Sequence, residues 1–261
     1  MRRRLLSTLT GLLLIAAGSG VAAGPARTVV IGAENDWYPY SGEIAGQAHG
    51  MTVDLVRAAF AAVSIEARFE LLPYARCMAQ TKAGTLLACF NTTRTDLIER
   101  DYLWPARPMF EERFVIYARK DHPVQPSLGV RDLEGQSVAV TRGYEYGSEF
   151  DGNTRVQRVV TNHDESNFRM VQLGRARYTL APEVNTRLLF QRHPDLAGQF
   201  RIVGQFPSFG LYTAFSRQHA DGAALLAAFD EGMRRITASG QARAIQERWR
   251  RRAETGAEQQ P

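Results

Sequence analysis

The chain has 261 residues with 32 Lys+Arg against 27 Asp+Glu, 44% hydrophobic residues and two cysteines. That length and apolar share suffice for one large domain or two modest ones, each with its own core. The surplus of positive charge would suggest a nucleic-acid partner only if it formed a basic stripe, and no stripe is visible.

The cationic start Arg2-Arg3-Arg4 precedes an uncharged, mostly apolar run, Leu5 to Ala17, and then a small-residue stretch ending Val21-Ala22-Ala23. These are the three parts of a cleavable export signal, with the cut expected after Ala23. The run is shorter than the roughly 20 apolar residues a membrane span needs. Removing residues 1–23 takes three arginines away and leaves 29 basic against 27 acidic side chains, so the apparent basicity belongs mostly to the precursor. About 238 residues remain, and no later apolar run reaches spanning length.

Strand and helix signals then alternate. Arg27 to Gly32 is a β-branched run ending at glycine, and Gly50 opens a helix whose Val53, Val56, Phe60 and Val63 form one stripe. Ala67 to Leu72 reads as a strand stopped by Pro73, Tyr74 to Ala83 as a helix ended by Gly84, and Leu86 to Phe90 as a strand. Arg113 to Ala118 is a further strand, followed by a loop over residues 122–126 and a short helical turn at Val130 to Leu133. Next come strands at Ser137 to Thr141, Arg158 to Val160 and Tyr178 to Ala181, with helices over Asp164 to Arg175 and Glu183 to Phe190. Leu211 to Phe215 is the last strand. Asp221 is a candidate N-cap for a helix with the stripe Leu226, Phe229, Met233 and Ile236, and a final helix runs from Ala242 to Trp249. This rhythm predicts α/β architecture, a mostly parallel sheet with helices on its faces.

Several landmarks occur together and in order. They are Asn35-Asp36-Trp37-Tyr38-Pro39-Tyr40, Gly50-Met51-Thr52-Val53-Asp54-Leu55, Asn91-Thr92-Thr93-Arg94 through Glu99-Arg100, Asp132-Leu133-Glu134-Gly135-Gln136-Ser137-Val138-Ala139-Val140, and the tail Phe229 to Trp249. On these the chain resembles the amino-acid-type periplasmic solute-binding proteins of bacterial ABC importers over about Val29 to Trp249. The resemblance implies two three-layer α/β lobes joined by two crossover strands, with a ligand held in the cleft between them. Lobe one would be residues 24–118 plus 209–261 and lobe two residues 119–208, hinged near Tyr117-Ala118 and Ser208 to Leu211. It implies a periplasmic, monomeric receptor for a small carboxylate-bearing, amino-acid-like solute, with an inner-membrane ABC permease as partner and no cofactor.

The same resemblance assigns candidate ligand residues. Trp37 stands at the stacking aromatic, Glu34 at an acid that meets the ligand side chain, and Tyr40 and Tyr74 at the cleft walls. Arg100 or Arg94 would clamp a carboxylate, because a guanidinium fork pairs both oxygens. The turn Gly143 to Ser148, with Tyr144 and Glu145, would offer backbone N–H groups to an anion, helped by Arg142. Tyr144 and Tyr146 are bulkier than the Thr or Ser usual there. Thr179 falls where the family has an aspartate for a ligand ammonium, a charge threonine cannot supply, and Glu183 is the nearby alternative. Cys77 and Cys89, exported to an oxidising compartment, are either a disulfide or two buried thiols.

Some relatives of such binders are periplasmic dehydratases of the cyclohexadienyl-dehydratase kind, so an enzyme on the same scaffold is the rival, with Glu34, Glu145 or Glu183 as its acid. The five histidines, His49, His122, His163, His193 and His219, show no metal-ligand spacing, and no phosphate loop or dinucleotide fingerprint is present.

Overall fold

The computed structural model describes residues 27–121, 123 and 127–255. The predicted export signal and most of the loop at 122–126 therefore lie outside the described residues.

In chain order the elements are β1 (Arg27–Glu34), β2 (Asp36–Trp37), β3 (Ser41–Ile44), β4 (Gln47–His49), α1 (Met51–Ala61), β5 (Ile65–Leu72), α2 (Tyr74–Ala83), β6 (Ala88–Thr93), β7 (Tyr102–Leu103) and β8 (Phe110–Arg119). After a short 3-10 turn at Arg131–Leu133 come β9 (Ser137–Thr141), α3 (Ser148–Asp151), β10 (Gln157–Thr161), α4 (Asp164–Gln172), β11 (Tyr178–Pro182), α5 (Glu183–Arg192), β12 (Phe200–Ser216), α6 (Gly222–Ala238) and α7 (Gln241–Thr255).

The main sheet runs β10-β9-β11-β8-β12-β6-β1-β5, with β7 on the end of β12. Its two ends are parallel units: β1 pairs β5 and β6 in one, and β9 pairs β10 and β11 in the other. Each is what a βαβ crossover produces. Between them β8 and β12 run antiparallel to each other from Phe110↔Leu211 to Arg119↔Phe200. Both long strands serve both lobes: β12 pairs β6 at its C-terminal end, and β8 pairs β11 at its own. This is the two-lobed α/β arrangement that the landmarks imply. The first half of β12 is missing from the sequence reading, because Gly204 and Pro207 interrupt its apolar pattern; register shifts between Ile202 and Gly204 and between Gln205 and Ser208 accommodate them.

Helix α1 buries Val53, Val56 and Phe60 completely, as their spacing predicts, while Val63 falls beyond its end at Ala61. It packs on α6, where the buried line is Leu225, Phe229, Gly232 and Ile236, with Leu226 and Met233 only partly buried. Gly232 is what lets the two axes approach, since any Cβ there would collide with the Ala59 carbonyl. Phe60 and Phe229 meet with ring centroids 5.5 Å apart, and burying each contributes about 1.5–3 kcal/mol. The last helix is tied to α1 through Asp54, which accepts from Trp249 Nε1 at 2.8 Å and pairs with Arg248 at 2.9 Å. Lobe two has a separate apolar cluster of Val115, Tyr117, Phe168, Val171, Leu189 and Phe200 between sheet and helices. Helix α4 ends at Gln172, three residues short of the expected Arg175, where Gly174 turns the chain at φ 69°. No helix among the described residues is long and apolar enough to cross a membrane.

Candidate functional site

The carboxyl ends of the parallel strands from both lobes face one another, which is where open α/β sheets place ligands. Lobe one contributes Glu34 from the end of β1, Trp37 from β2, Tyr74 from the first position of α2, and Asn91 and Thr93 from β6. Pro73 precedes Tyr74 and sets where the helix begins. A disulfide between Cys77 and Cys89, with Cα atoms 5.9 Å apart, ties α2 to β6 directly behind this wall. Lobe two contributes the turn after β9, in which Tyr144 and Glu145 enter the cleft while Tyr146 turns into the core, 2% exposed.

The two walls touch. Tyr144 Oη donates a short hydrogen bond to Glu34, and Tyr74 Oη donates to Glu145 Oε2 at 2.6 Å. The Tyr144 ring stands edge-on to Trp37 (6.2 Å) and to Tyr74 (5.1 Å). Outside this cluster Asn185 Nδ2 donates to the Tyr38 carbonyl at 3.1 Å, and Asp36 is approached by His163 at 3.4 Å and by Arg192 at 3.6 Å. Burial holds the Glu34 carboxyl well above the usual carboxylate range and pushes Glu145 up to about 8, because a carboxylate in a dry site loses its hydration. Burial likewise raises both phenols, Tyr74 and Tyr144.

Two spaces share Glu34, Tyr74 and Tyr144 as a wall. The inner one, completed by Trp37, Asn91, Thr93, Phe114 and Glu145, leaves ≈ 10 Å³ for water-sized bodies, room for about one water. The outer one leaves ≈ 260 Å³ and adds Asn35, Asp36, Pro73, Ala75, Thr141, Arg142, Asn162 and His163. The outer space thus has the acids Glu34 and Asp36 from lobe one and the guanidinium of Arg142 and the imidazole of His163 from lobe two. Its floor on the lobe-two side is fixed by a buried network. Thr141 Oγ1 donates to Asp164 Oδ1 at 2.7 Å, Asn167 Nδ2 donates to Thr141 Oγ1 at 2.8 Å, and Thr161 Oγ1 donates to Asn167 Oδ1 at 2.7 Å. Burial pushes Asp164 up to about 6.

Of the residues singled out in the sequence, Glu34, Trp37, Tyr74, Arg142, Tyr144 and Glu145 meet in the cleft. The others are placed elsewhere. Arg94 pairs through both guanidinium ends with Glu99 and lies over the Trp104 ring. Arg100 is exposed in the turn that follows and lines neither space. Tyr40 is buried against Phe110, stacked at 5.1 Å, with its hydroxyl donating to Glu112. Thr179 is fully buried inside β11, its hydroxyl donating to the Ala139 carbonyl at 3.1 Å, and Glu183 is exposed at the start of α5. The turn Gly143 to Ser148 already has an anion of its own: Tyr146 N donates to both oxygens of Asp151 at 3.1 Å. The helix it opens, α3, is a single turn of 4 residues. Asn91, Thr93, Asp36, Asn162 and His163 are cleft residues the sequence reading did not single out. Asn91 carried a signal only in its backbone, a non-glycine at φ 67°, which a sequence does not display.

The sequence pattern of the bacterial extracellular solute-binding proteins, family 3, matches residues 29–252. No curated protein sequence matches the chain. Among solved structures the chain is similar to a histidine kinase sensor domain that resembles periplasmic binding proteins (TM-score 0.74, 24% identity, covering 85% of this chain and 96% of that one). It is also similar to an ancestral arginine-binding protein bound to arginine (TM-score 0.71, 18% identity, 86% and 99% covered). A third is the substrate-binding protein of an amino acid ABC transporter (TM-score 0.69, 16% identity, 85% and 98% covered).

Proposed function

Since the chain belongs to the bacterial extracellular solute-binding proteins of family 3, we propose that it is a periplasmic receptor that closes its lobes on a small amino-acid-like solute and delivers it to an inner-membrane ABC importer, acting as a monomer without covalent chemistry. The observation that carries the reading is the outer space: ≈ 260 Å³ between the lobes, with Glu34 and Asp36 contributed by lobe one and Arg142 by lobe two. A zwitterion matches such a split, its carboxylate turned to the Arg142 guanidinium and its ammonium to the acids. Arg142 replaces Arg94 and Arg100 as the clamp, because it alone of the three lines the space. Delivery to an importer is supported by the likeness to the binding protein of an amino acid ABC transporter; export is supported by the predicted signal at residues 1–23.

Thermal shift and calorimetry of the mature chain against amino acids, polyamines and organic acids test the reading, since a ligand of the folded state raises its melting temperature. A carboxylate-bearing ligand is expected to lose roughly 10- to 100-fold in affinity with Arg142→Ala, as a charge-assisted hydrogen bond contributes about 1.5–3 kcal/mol. No shift with any compound would count against a receptor.

One observation favours the enzyme as second reading: Glu145, buried, hydrogen-bonded to Tyr74 and pushed up to about 8, is held protonated at neutral pH, the state a general acid needs. Turnover of a bound cyclic carboxylic acid, abolished by Glu145→Gln, would establish it.

A further inference from the structure

We infer that Tyr144 is a specificity-determining partition, which shuts a second, acid-lined compartment off from the ligand space and thereby limits how long a ligand the receptor accepts. The inference rests on the reading of the cleft as a solute site and adds what that site selects.

Three observations carry it. First, among the described residues Tyr144 is the one lobe-two residue in the wall common to the two spaces, the other two, Glu34 and Tyr74, coming from lobe one. Its ring stands between Trp37 and Tyr74, and its hydroxyl is anchored on Glu34. The side chain therefore enters and leaves with its lobe, and in the closed form it occupies the passage. Second, the compartment behind it contains polar groups with no partner. Both amide atoms of Asn91 and the indole N–H of Trp37 are buried and unpaired, in residues 7% and 4% exposed. A buried polar atom without a partner costs about 1–3 kcal/mol, so this compartment is built for contacts it does not make with the protein itself. Third, its titratable groups are one-sided. Glu34 and Glu145 line it and, among the described residues, no Lys, Arg or His does. Each acid is at present satisfied by a phenol, Tyr144 on Glu34 and Tyr74 on Glu145.

The group that fits is a cationic, hydrogen-bond-donating end, an ammonium or a guanidinium. It would donate to the two carboxyl groups, whose ionised form a neighbouring cation favours, and to Asn91 Oδ1 among the rings of Trp37, Tyr74 and Phe114, whose faces attract cations. With Tyr144 in place only the outer space is open, so a ligand must hold its charges close together. Without the ring the two compartments become one, and a longer dication-type amino acid reaches Glu145.

Calorimetry with L-2,3-diaminopropionate, L-ornithine, L-lysine and L-arginine, a series of lengthening cationic side chains, tests this on the mature protein. The wild type is expected to favour the shorter members. Tyr144→Ala is expected to shift the preference at least about tenfold toward lysine or arginine, and Tyr144→Leu by less. Tyr144→Phe, which keeps the ring and loses only the bond to Glu34, is expected to keep the wild-type rank order whatever it does to affinity. Adding Glu145→Gln to Tyr144→Ala should cancel the gain for the long ligands. The partition is overturned if Tyr144→Ala and Tyr144→Leu change all four affinities in the same proportion, or if Tyr144→Phe reorders them as Tyr144→Ala does. Absence of binding by every form, to this series and to the wider panel, would overturn the receptor reading as well.

Discussion

The two walls of the cleft are built differently. On the lobe-one side Glu34 ends a strand, Tyr74 begins a ten-residue helix, and Asn91 lies within β6, with the Cys77–Cys89 disulfide joining helix to strand behind them. On the lobe-two side Arg142, Tyr144 and Glu145 sit on a turn between β9 and the single helical turn α3. That turn is shaped by Gly143 at φ 81° and Gly147 at φ 100°, backbone states that glycine reaches without a Cβ penalty. It is pinned from beneath by Tyr146, whose ring meets Phe114 at 5.1 Å and whose hydroxyl accepts from Thr141 N at 2.9 Å. One wall is a rigid surface and the other a shaped loop on a rigid base, a division that suits a receptor whose lobes part and meet again. The loop carries Arg142, Tyr144 and Glu145, and the braced wall gives them something constant to meet.

The largest expected effect breaks the braced wall. The double change Cys77→Ser/Cys89→Ser should lower unfolding stability by about 3 kcal/mol, the loop-closure value for a link of this span, read from urea melts of the oxidised protein and the variant. A loss near zero would mean that α2 holds to β6 by packing alone. Next is the loop. A Cβ at position 147 would lie 2.6 Å from the Phe209 ring, at a φ that side chains rarely adopt. Gly147→Ala should therefore cost roughly 1–3 kcal/mol and weaken ligand binding more than the serine pair does, because it displaces Tyr144 and Glu145. If the serine pair impaired binding more, the division between the walls would be wrong.

This contrast also explains what the sequence made legible. Regular elements announce themselves by period: α2 is predicted at Tyr74 to Ala83 and observed there, and β9 at Ser137 to Thr141 likewise. The family resemblance assigns Glu34, Trp37 and Tyr74 to the cleft, and each of them follows or opens such an element. The turn was visible through its glycines, but its direction was not. Tyr144 and Tyr146 look alike in the sequence, and only the packing under β9 sends one into the cleft and the other into the core. The two arginines that the resemblance offers as clamps lie outside the cleft for a related reason: Arg94 and Arg100 follow a strand of the right kind, yet Arg94 finds Glu99 five residues on and stays on the surface. Local ion-pair competition of this sort leaves no periodic trace.

A pH series probes both walls. Glu145, at about 8, and Asp151 and Asp164, each at about 6, have been raised by burial in lobe two, and Glu34, held well above the usual carboxylate range by burial, is their counterpart in lobe one. A carboxyl whose folded value is raised favours folding while it is protonated. Its contribution is complete below the unfolded value near 4 and is lost as pH rises through the folded value. Stability should therefore decline from about pH 4 through pH 8, in two stages if the groups act separately. Glu145→Gln, whose amide oxygen can still accept from Tyr74, should flatten the upper stage between about pH 6 and 8 in thermal melts. An unchanged slope there would show that Glu145 does not carry it.

The smallest effect sharpens the comparison most. Arg94 and Glu99 have side chains 39% and 41% exposed, and an ion pair so placed contributes at most about 1 kcal/mol. Arg94→Ala is accordingly expected to shift stability within that limit and to leave ligand affinity as it is, whereas Arg142→Ala lowers affinity without unfolding the chain. Measuring both variants against one ligand decides which wall supplies the cation. Should Arg94→Ala abolish binding instead, the guanidinium must leave Glu99 and swing from lobe one into the cleft when the ligand arrives. The braced wall would then be the one that rearranges, and the shaped loop the one that waits.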